Sequence, residues 1–322
     1  MSEKYIAGVD IGGTKIAVAI AAKDGDIVAQ NSFPTNPTRD PHEVVDHLLA
    51  LIASMVNENQ TPVAGVGIVC CGPLDLERGL VMTPPNLPLW REFPLHHIVE
   101  TRLGTPVVLE NDANAAAVGE HLYGAGRGLD DMVYLTISTG IGCGIIAGGR
   151  LLHRSGEGGH ITVQTGSDRL CGCGAYGCME ALCSGTAIAF RMRQLLNTSR
   201  PGIPRSGLSE NGQVTAKMVV EALREGDELA LEVWQEMIGF MAEGVGNLIT
   251  VLAPQAVVFG GSVAFGAGEL LLNPLMDELR KRVRLVPLEK VQIRLAGLGA
   301  DSALHGALAL AAQTLTPAEL AG

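Results

Sequence analysis

The chain has 322 residues, which predicts two domains, and 47% of them are apolar, which is ample for buried cores and argues against disorder. Its 23 basic and 34 acidic residues give a net charge of −11. An acidic chain without a basic run is a poor candidate for binding nucleic acid or an anionic membrane, and neither a signal peptide nor a spanning segment is predicted.

Short strands alternate with helices through the first third of the chain. The clearest strands are two apolar runs, 5–10 and 16–21, joined by the turn Ile11-Gly12-Gly13-Thr14-Lys15. Further strands are predicted at 27–33, 63–69 and 106–109, and helices at 41–57 and 95–102. Strands and helices in this order predict an α/β layer architecture.

The strand–turn–strand pattern recurs later in the chain. A strand over 131–138, the turn Thr139-Gly140-Ile141-Gly142 and a strand over 143–147 repeat the shape and chemistry of residues 10–21. This repeat predicts two similarly built lobes that face a shared ligand. The remaining elements are predicted as helices at 179–196, 215–225, 227–252, 269–283 and 302–313, strands at 256–259 and 291–296, and a loop at 197–212.

Two domains follow from this order of elements, with a boundary after residue 118. Residues 1–118 form a small α/β lobe, to which a terminal helix near 302–322 returns. Residues 119–301 form a large α/β lobe that includes the chain's cysteine-rich segment.

The turn that follows Asp10 has the composition of an anion site. Gly12 and Gly13 allow backbone N–H groups to approach an anion, and Thr14 adds a hydroxyl donor beside Lys15. Asp10, at the end of a strand, can hold Mg²⁺ directly or through water. An ordinary β-hairpin is the alternative, and the second turn at Thr139-Gly140 favours the phosphate site. Neither a P-loop nor a dinucleotide-binding fingerprint follows a strand here.

A polar cluster marks the passage from the strand at 106–109 into an alanine-rich helix. Asp112 stands at the predicted helix N-terminus, where the helix dipole favours an ionised carboxylate. Its alternative role is that of a simple helix cap. Because Asn111 and Asn114 add two more hydrogen-bonding side chains, we expect more than a cap. A carboxylate that accepts the proton of an attacking hydroxyl is what phosphoryl transfer requires.

Three cysteines and a histidine are spaced as ligands of a closed zinc site. His160 precedes Cys171, Cys173 and Cys178, and glycines between them permit tight turns. Free buried thiols or a redox pair are the alternatives. Four ligands leave no open position, so this zinc is predicted to be structural. The chain has seven cysteines and no export signal, which favours the reducing environment of the cytoplasm.

Two glutamates adjoin this predicted zinc site. Glu157 lies three residues before His160, and Glu180 lies two residues after Cys178. Carboxylates and amides recognise the vicinal hydroxyls of sugars. The proline-rich loop around Asn86 and Trp90 adds one amide and one aromatic ring, and burial of the ring in a core is at least as well supported as ligand contact.

Together these motifs resemble the ROK family of sugar kinases and sugar-responsive repressors. The motifs, in the family's order, are Asp10-x-Gly-Gly-Thr-Lys, Glu110-Asn-Asp-Ala-Asn, Gly156-Glu-x-Gly-His160, Cys171-x-Cys-Gly-x-x-Gly-Cys-x-Glu180 and the turn Gly260-Gly261. The cysteine motif is the most specific of them, whereas the first turn is shared by the wider actin–hexokinase superfamily. Cys70-Cys71 departs from the family pattern, in which small or apolar residues are common.

The resemblance implies a duplicated ribonuclease H-like α/β fold with two lobes and a central cleft, and a homodimer or tetramer built through the large lobe. It implies that Gly12, Gly13, Thr14, Thr139 and Gly140 contact ATP phosphates, and that Gly260 and Gly261 lie near adenosine. It also implies Asp112 as the catalytic base, and sugar contacts by Asn86, Asn111, Asp112, Glu157, His160 and Glu180, with His160 also binding zinc.

Glucose is the predicted hexose, because the loop Pro84-Pro-Asn-Leu-Pro-Leu-Trp90 resembles that of bacterial glucokinases. The reaction implied is ATP-dependent transfer to a hexose hydroxyl, with Mg²⁺ as the metal partner. Fructose, mannose, allose and N-acetylmannosamine remain alternatives, because these motifs do not define the size of the sugar pocket. Polyphosphate remains an alternative donor.

Two non-enzymatic classes are less well supported. Repressors of the family carry a winged-helix region before the Asp-x-Gly-Gly turn, whereas nine residues precede Asp10 and the chain is acidic. A sugar sensor without catalysis is disfavoured by the presence of Asp112 and both phosphate turns.

Overall fold

A computed structural model of the protein describes residues 4–22, 25–59, 61–152, 156–197, 206, 208 and 213–315. The chain divides into two compact units, the first comprising Met1–Arg127 and Asp301–Gly322 and the second Gly128–Ala300. The boundary proposed after residue 118 lies inside a helix that ends at Tyr123, so the division falls beyond that helix.

The first unit begins with a run of strands and helices in the predicted order. They are β1 (Tyr5–Ile11), β2 (Lys15–Ala21), β3 (Ile27–Pro34), α1 (Pro41–Asn59), β4 (Val63–Cys70), β5 (Leu74–Asp75), β6 (Leu80–Val81), α2 (Leu95–Leu103), β7 (Val107–Asn111) and α3 (Asp112–Tyr123). The main sheet has the order β3-β2-β1-β4-β7, while β5 and β6 form a separate pair. The first three strands of this order are antiparallel, and β1, β4 and β7 run parallel.

The second unit continues the chain, and one further helix completes the first. The elements are β8 (Met132–Ile137), β9 (Ile141–Ala147), β10 (Arg150–Leu151), α4 (Met179–Cys183), α5 (Gly185–Leu196), α6 (Ala216–Arg224), α7 (Glu228–Leu252), β11 (Ala256–Gly260), α8 (Ser262–Ala267), α9 (Glu269–Arg282), β12 (Gln292–Leu295) and α10 (Ser302–Thr314).

The sheet of the second unit repeats the plan of the first. Its order is β10-β9-β8-β11-β12, with β9 antiparallel to both of its neighbours and β8, β11 and β12 parallel. The predicted α/β architecture with a duplicated sheet is therefore confirmed. Helices α4 to α9 contribute to one apolar core with these strands, in which Phe259, Trp234 and Met241 are buried.

Helix α10 packs against β1, β4 and α3 of the first unit. The packing is close because small residues meet at each crossing: a Cβ on Gly67 would overlap the carbonyl oxygen of Ala307, and a Cβ on Gly306 would overlap that of Ala115. The opposite face of the sheet is covered by α1 and α2, which share a core with β1, β2, β4 and β7. The sheet is thus a middle layer between two layers of helices.

Two predicted segments differ from the structure. The helix predicted at 179–196 is interrupted at Ser184, which has an extended backbone and caps α5 by accepting a hydrogen bond from the N–H of Ala187 on Oγ. The loop predicted at 197–212 lies mostly outside the described residues, as do residues 316–322 of the predicted terminal helix. Within the described ranges, no helix is both long and apolar enough to cross a bilayer.

Candidate active site

The first unit aligns three strand ends at one edge of its sheet. In the parallel register Ile11 of β1 lies opposite Cys70 of β4, and Cys70 lies opposite Asn111 of β7. The carboxyl ends of parallel strands are where α/β proteins bind ligands, because loops and helix N-termini converge there. The turn after Ile11, the segment after Cys70 and the start of α3 therefore share one edge.

The turn between β1 and β2 is held closed by backbone and side-chain hydrogen bonds. The N–H of Gly12 donates to the carbonyl of Lys15 at 3.0 Å. Thr35, which is buried, donates from Oγ1 to the carbonyl of Gly12 at 2.7 Å and from its N–H to the carbonyl of Thr14 at 3.0 Å. Thr35 could not be predicted for this role from the sequence, because a threonine after the third strand carries no local signal of it.

Asn86 lies against the same turn. A Cβ built on Gly13 would lie 2.9 Å from Nδ2 of Asn86, so the amide approaches the backbone as closely as a glycine allows. The two apolar residues of this loop, Leu87 and Trp90, are buried, and the ring of Trp90 meets Phe93 edge-on at 5.2 Å. Trp90 is thus a core residue that fixes the loop carrying Asn86.

At the start of α3 the helix cap and the proposed catalytic carboxylate are two different residues. Asn111 is the N-cap, and its Oδ1 accepts hydrogen bonds from the N–H groups of Ala113 at 2.9 Å and Asn114 at 3.4 Å. Asp112 is the first residue of the helix, and its Oδ1 accepts from the N–H of Ala113 at 2.9 Å. The neighbouring asparagine therefore serves as the cap, and Asp112 stands at the positive end of the helix dipole.

A buried pair lies behind this helix start. Glu110, which is 4% exposed, accepts hydrogen bonds on Oε1 from the N–H of Asn111 at 2.8 Å and from Nδ2 of Asn114 at 3.0 Å. Charge-assisted bonds of this kind hold backbone position well. They fix the strand end and the first helical turn on either side of Asp112.

Asp10 is a strongly perturbed carboxyl group at this edge. Burial raises its pKa to about 7, and the carboxylates of Asp112 and Asp301 add to that effect, while Lys15 opposes it. The edge therefore concentrates negative charge. Such a site suits a divalent cation, whose binding would favour the ionised form of Asp10.

The second unit has a comparable turn after its first strand. Ser138 accepts a hydrogen bond on its carbonyl from the N–H of Gly185 at 2.8 Å and on Oγ from the N–H of Ser262 at 3.1 Å. Thr186 donates from Oγ1 to the carbonyl of Thr139 at 2.9 Å. The turn is thus tied to the first residues of α5 and α8.

A cavity of about 670 Å³ opens beside this turn. Its walls include Thr139 of the turn and the start of α8, and cationic side chains from α5 and α6 contribute at Arg193, Lys217 and Arg224. Arg193 donates to the carbonyl of Val214 at 3.0 Å, and Arg224 donates to that of Gly266. These three cationic residues were not predicted from the sequence, because they come from helices without a recognisable motif.

The glycine pair at the end of β11 is required by close contacts. A Cβ on Gly260 would overlap the hydroxyl of Tyr134, and one on Gly261 would overlap the carbonyl of Ile137. Gly261 also has φ of +88°, a region that favours glycine. The pair turns the chain from β11 into α8, so that Ser262 reaches the cavity.

The four predicted metal ligands lie together. Within the described residues, His160, Cys171, Cys173 and Cys178 form a group whose ligand atoms are all within 4.8 Å of one another. Sγ of Cys171 is 3.4 Å from Nδ1 of His160, and Sγ of Cys173 is 3.7 Å from that of Cys178. Tetrahedral zinc, with Zn–S of about 2.3 Å and Zn–N of about 2.0 Å, requires S–N and S–S separations of about 3.5 and 3.8 Å. The donor set and its spacing therefore fit the ion.

The two glutamates of the second unit differ in their contacts. Glu180 Oε1 accepts from Sγ of Cys171 at 3.6 Å, and Oε2 accepts from the N–H of Ile141 at 2.9 Å. Glu157 is 87% exposed, and its Oε2 lies 3.7 Å from Nε2 of His160. His160 thus turns Nδ1 towards the thiols and Nε2 towards Glu157, which leaves both nitrogens with a defined role.

Comparisons with known proteins identify one family over nearly the whole chain. The sequence model of the ROK family matches residues 6–314. The chain is 34% identical over 283 residues to a glucokinase of Thermotoga maritima, covering 87% of this chain and 88% of the relative. It is 33% identical over 268 residues to an N-acetylmannosamine kinase of Escherichia fergusonii, covering 82% and 85%.

Solved structures agree with this assignment. The chain is similar to a ROK hexokinase from Thermus thermophilus, with a TM-score of 0.84, 34% identity, and coverage of 96% of this chain and 98% of the other. It is also similar to a ROK family glucokinase from Streptomyces griseus in complex with glucose and AMPPNP, with a TM-score of 0.77, 36% identity, and coverage of 96% and 99%.

Proposed function

Because the chain belongs to the ROK family, we propose that it transfers the γ-phosphoryl group of ATP to a hexose hydroxyl, with glucose as the first candidate and glucose 6-phosphate as its product. The observation that carries this proposal is the alignment of Ile11, Cys70 and Asn111 at one sheet edge. It brings the turn after β1 beside the strand end that precedes Asp112. The likeness to a glucokinase structure with glucose and a nucleotide analogue supports the same reaction.

In the proposed reaction Asp112 is the general base. The attacking hydroxyl loses its proton to the carboxylate as its oxygen bonds to phosphorus, and the bond to the leaving oxygen of ADP breaks. The cap on Asn111 and the bonds of Glu110 fix the backbone of Asp112, so the carboxylate is oriented before the hexose binds. Asn86, Asn111, Glu157, His160 and Glu180 are proposed as the sugar contacts.

Phosphate and nucleotide binding are assigned to both units. The turn at Gly12, Gly13, Thr14 and Lys15 supplies N–H, hydroxyl and ammonium donors in the first unit, and Thr139 with Gly140 supplies donors in the second. Bound Mg²⁺ would neutralise phosphate charge, and Asp10 is the residue that would hold it, directly or through water.

Adenosine is assigned to the cavity beside Thr139. Apolar walls from Ala189, Val220 and Val263 suit a base, and the cations Arg193 and Arg224 suit a polyanionic ligand. Gly260 and Gly261 contribute by placing the start of α8 at this cavity.

Zinc is proposed as a structural ion held by His160, Cys171, Cys173 and Cys178. Bound there, it would hold the segment that carries Glu157 and the start of α4, which carries Glu180. Metal analysis of the purified protein is expected to give about one zinc per chain. A folded, active protein without metal would contradict this assignment.

A coupled assay of ADP release over a panel of hexoses tests the main proposal. Glucose is expected to give the highest kcat/KM, and fructose, mannose, allose and N-acetylmannosamine are the alternatives. N-acetylmannosamine as the best substrate would favour the second function, which the likeness to an N-acetylmannosamine kinase supports. A sugar-phosphate assay with polyphosphate tests the alternative donor. Binding of glucose without transfer from either donor would instead indicate a sugar-sensing regulator.

A homodimer or tetramer and a cytoplasmic location stay predictions from the sequence. Light scattering of the purified protein tests the first, and fractionation of the source cells tests the second.

A further inference from the structure

Cys70 and Cys71 are adjacent thiols that the proposed function does not use. Both are free of disulfide bonds, with Cys70 buried and Cys71 half-buried. They belong to the first unit, whereas the proposed zinc ligands belong to the second. The pair is therefore a second group of thiols, separate in the fold from the Cys/His cluster.

The two thiols converge instead of pointing apart. Neighbouring side chains in a regular strand lie on opposite faces of the sheet. β4, however, ends at Cys70, and the side chains of Cys70 and Cys71 both contact the apolar core shared with α1 and α2. Both side chains therefore lie on the same side of the strand end, and the proximity of Cys71 is the largest cause of the raised pKa of Cys70. The pair thus has the proximity of a chelating dithiol.

The dithiol lies at the sheet edge that carries the proposed base. Cys70 is opposite Asn111 in the register of β4 and β7, one residue before Asp112. Gly72, the residue after Cys71, also lies near Asn111: a Cβ built on it would be 3.6 Å from Nδ2 of Asn111. A group bound to both sulfurs would therefore lie beside the cap that orients Asp112.

The environment favours the protonated form of the buried thiol. The neighbouring side chain of Cys71, towards which Cys70 keeps its proton, raises the pKa of Cys70, and burial and the carboxylates of Asp112 and Asp10 add to that effect. A protonated thiol reacts slowly with oxidants, since the thiolate is the nucleophile. Chelation does not require a thiolate beforehand, because a soft centre that binds both sulfurs displaces both protons as it binds.

We propose that Cys70 and Cys71 form a binding site for thiophilic trivalent arsenicals, and that its occupation blocks phosphoryl transfer. Two S–H bonds break and two S–As bonds form; the oxygen of the arsenical leaves as water with both protons, and no electron is transferred. The inhibitory part rests on the proposed function. The binding part stands on the thiols alone.

Phenylarsine oxide, added stoichiometrically to the zinc-loaded full chain, tests both parts. Intact mass and peptide mapping are expected to give one phenylarsenic group per chain, on the peptide with Cys70 and Cys71. Turnover is expected to fall about tenfold or more. A dithiol such as 2,3-dimercaptopropanol should restore it, whereas an excess of a monothiol should not, because only a dithiol competes for two As–S bonds.

Two variants make the test specific, each compared with its own untreated sample. C71S removes one sulfur from the pair and is expected to lose the stable adduct and the inhibition. C183A removes a single buried thiol of the second unit and is expected to retain both.

Three results would overturn the proposal. An adduct on the peptide with Cys171, Cys173 and Cys178, accompanied by zinc release, would assign the arsenical to the zinc cluster. Equal inhibition of C71S would exclude the dithiol, and an adduct at Cys70 and Cys71 with unchanged turnover would exclude the block. If the chain phosphorylates no hexose, the mass adduct still tests the dithiol, so the two failures are distinguishable.

Discussion

Glu180 accepts a hydrogen bond on Oε2 from the backbone N–H of Ile141, at 2.9 Å. Its other carboxylate oxygen accepts from the thiol of Cys171 at 3.6 Å. One side chain thereby connects the Cys/His cluster with the turn between β8 and β9. A substitution that displaces the turn should therefore also disturb the contact with Cys171, and the reverse, since one carboxylate makes both contacts.

Substitution of Gly140 tests this connection. A Cβ at Gly140 would overlap Oε2 of Glu180, so Gly140→Ala should displace both the carboxylate and the turn. We expect kcat to fall about tenfold or more, with a higher KM for ATP. Gly239→Ala, in α7 with no atom within 4 Å of the new methyl group, is the matched control. It should leave kinetics unchanged and stabilise the protein by about 1 kcal/mol.

Asp112→Asn tests the general base. The amide keeps the size of the side chain but accepts no proton, so kcat should fall by about three orders of magnitude or more. Glucose affinity, measured by calorimetry, should change little. Asp277→Asn, at an exposed position of α9, is the control and should retain full turnover. Near-normal turnover of Asp112→Asn would assign proton transfer to another group.

Removal of one proposed zinc ligand tests the ion. Cys178→Ser should lose zinc and lower the free energy of unfolding by about 2 kcal/mol or more, because the remaining donors no longer complete a tetrahedron. Atomic absorption and thermal unfolding measure the two effects. Cys71→Ser, a thiol substitution in the other unit, should keep its zinc. Equal metal content in both variants would contradict the ligand set.

In the absence of ligands and metal, Asp10→Asn should stabilise the protein at high pH. Folding raises the pKa of Asp10 from 3.8 to about 7, so the folded state holds the proton more tightly than the unfolded state. Stability from this group is complete below pH 3.8 and is lost as the pH rises to about 7. The variant should therefore gain about 4 kcal/mol at pH 8 and less than about 1 kcal/mol at pH 4. Thermal unfolding at both pH values measures this, and an equal gain at both would contradict it.

Ser302→Ala tests a buried contact between α3 and α10. Ser302 donates from Oγ to Oε1 of Glu120 at 2.7 Å, and the other oxygen of this fully buried carboxylate accepts from the N–H of Ala125 at 2.7 Å. Loss of the hydroxyl should cost about 1 to 3 kcal/mol of unfolding free energy. Ser54→Ala, which removes an exposed hydroxyl bonded to Glu58, should cost less than about 0.5 kcal/mol.

Local features of the sequence predicted much of this arrangement. The glycine turns after β1 and β8 and the start of α3 each lie within a few consecutive residues, so their geometry follows from local strand, turn and helix preferences. The spacing of Cys171, Cys173 and Cys178 likewise places three donors together through one short turn.

Contacts between distant segments could not be predicted in the same way. Thr35 donates a hydrogen bond to Gly12, 23 residues earlier in the chain, and nothing in the sequence around Thr35 indicates that contact. The cations Arg193 and Arg224 meet at the cavity only after α5 and α6 have packed. Ser184 also interrupts the helix that the periodicity of 179–196 predicted, because it adopts an extended backbone and caps α5.

The position of α10 sets the order in which the two cores can be completed on the ribosome. The strands β1 and β4 are made first, yet the helix that covers one of their faces is made only after the whole of Gly128–Ala300. The second unit is continuous and can finish folding while that face is still open. Early in synthesis the nascent chain therefore exposes the glycine- and alanine-lined surface around Gly67, until α10 is made and covers it.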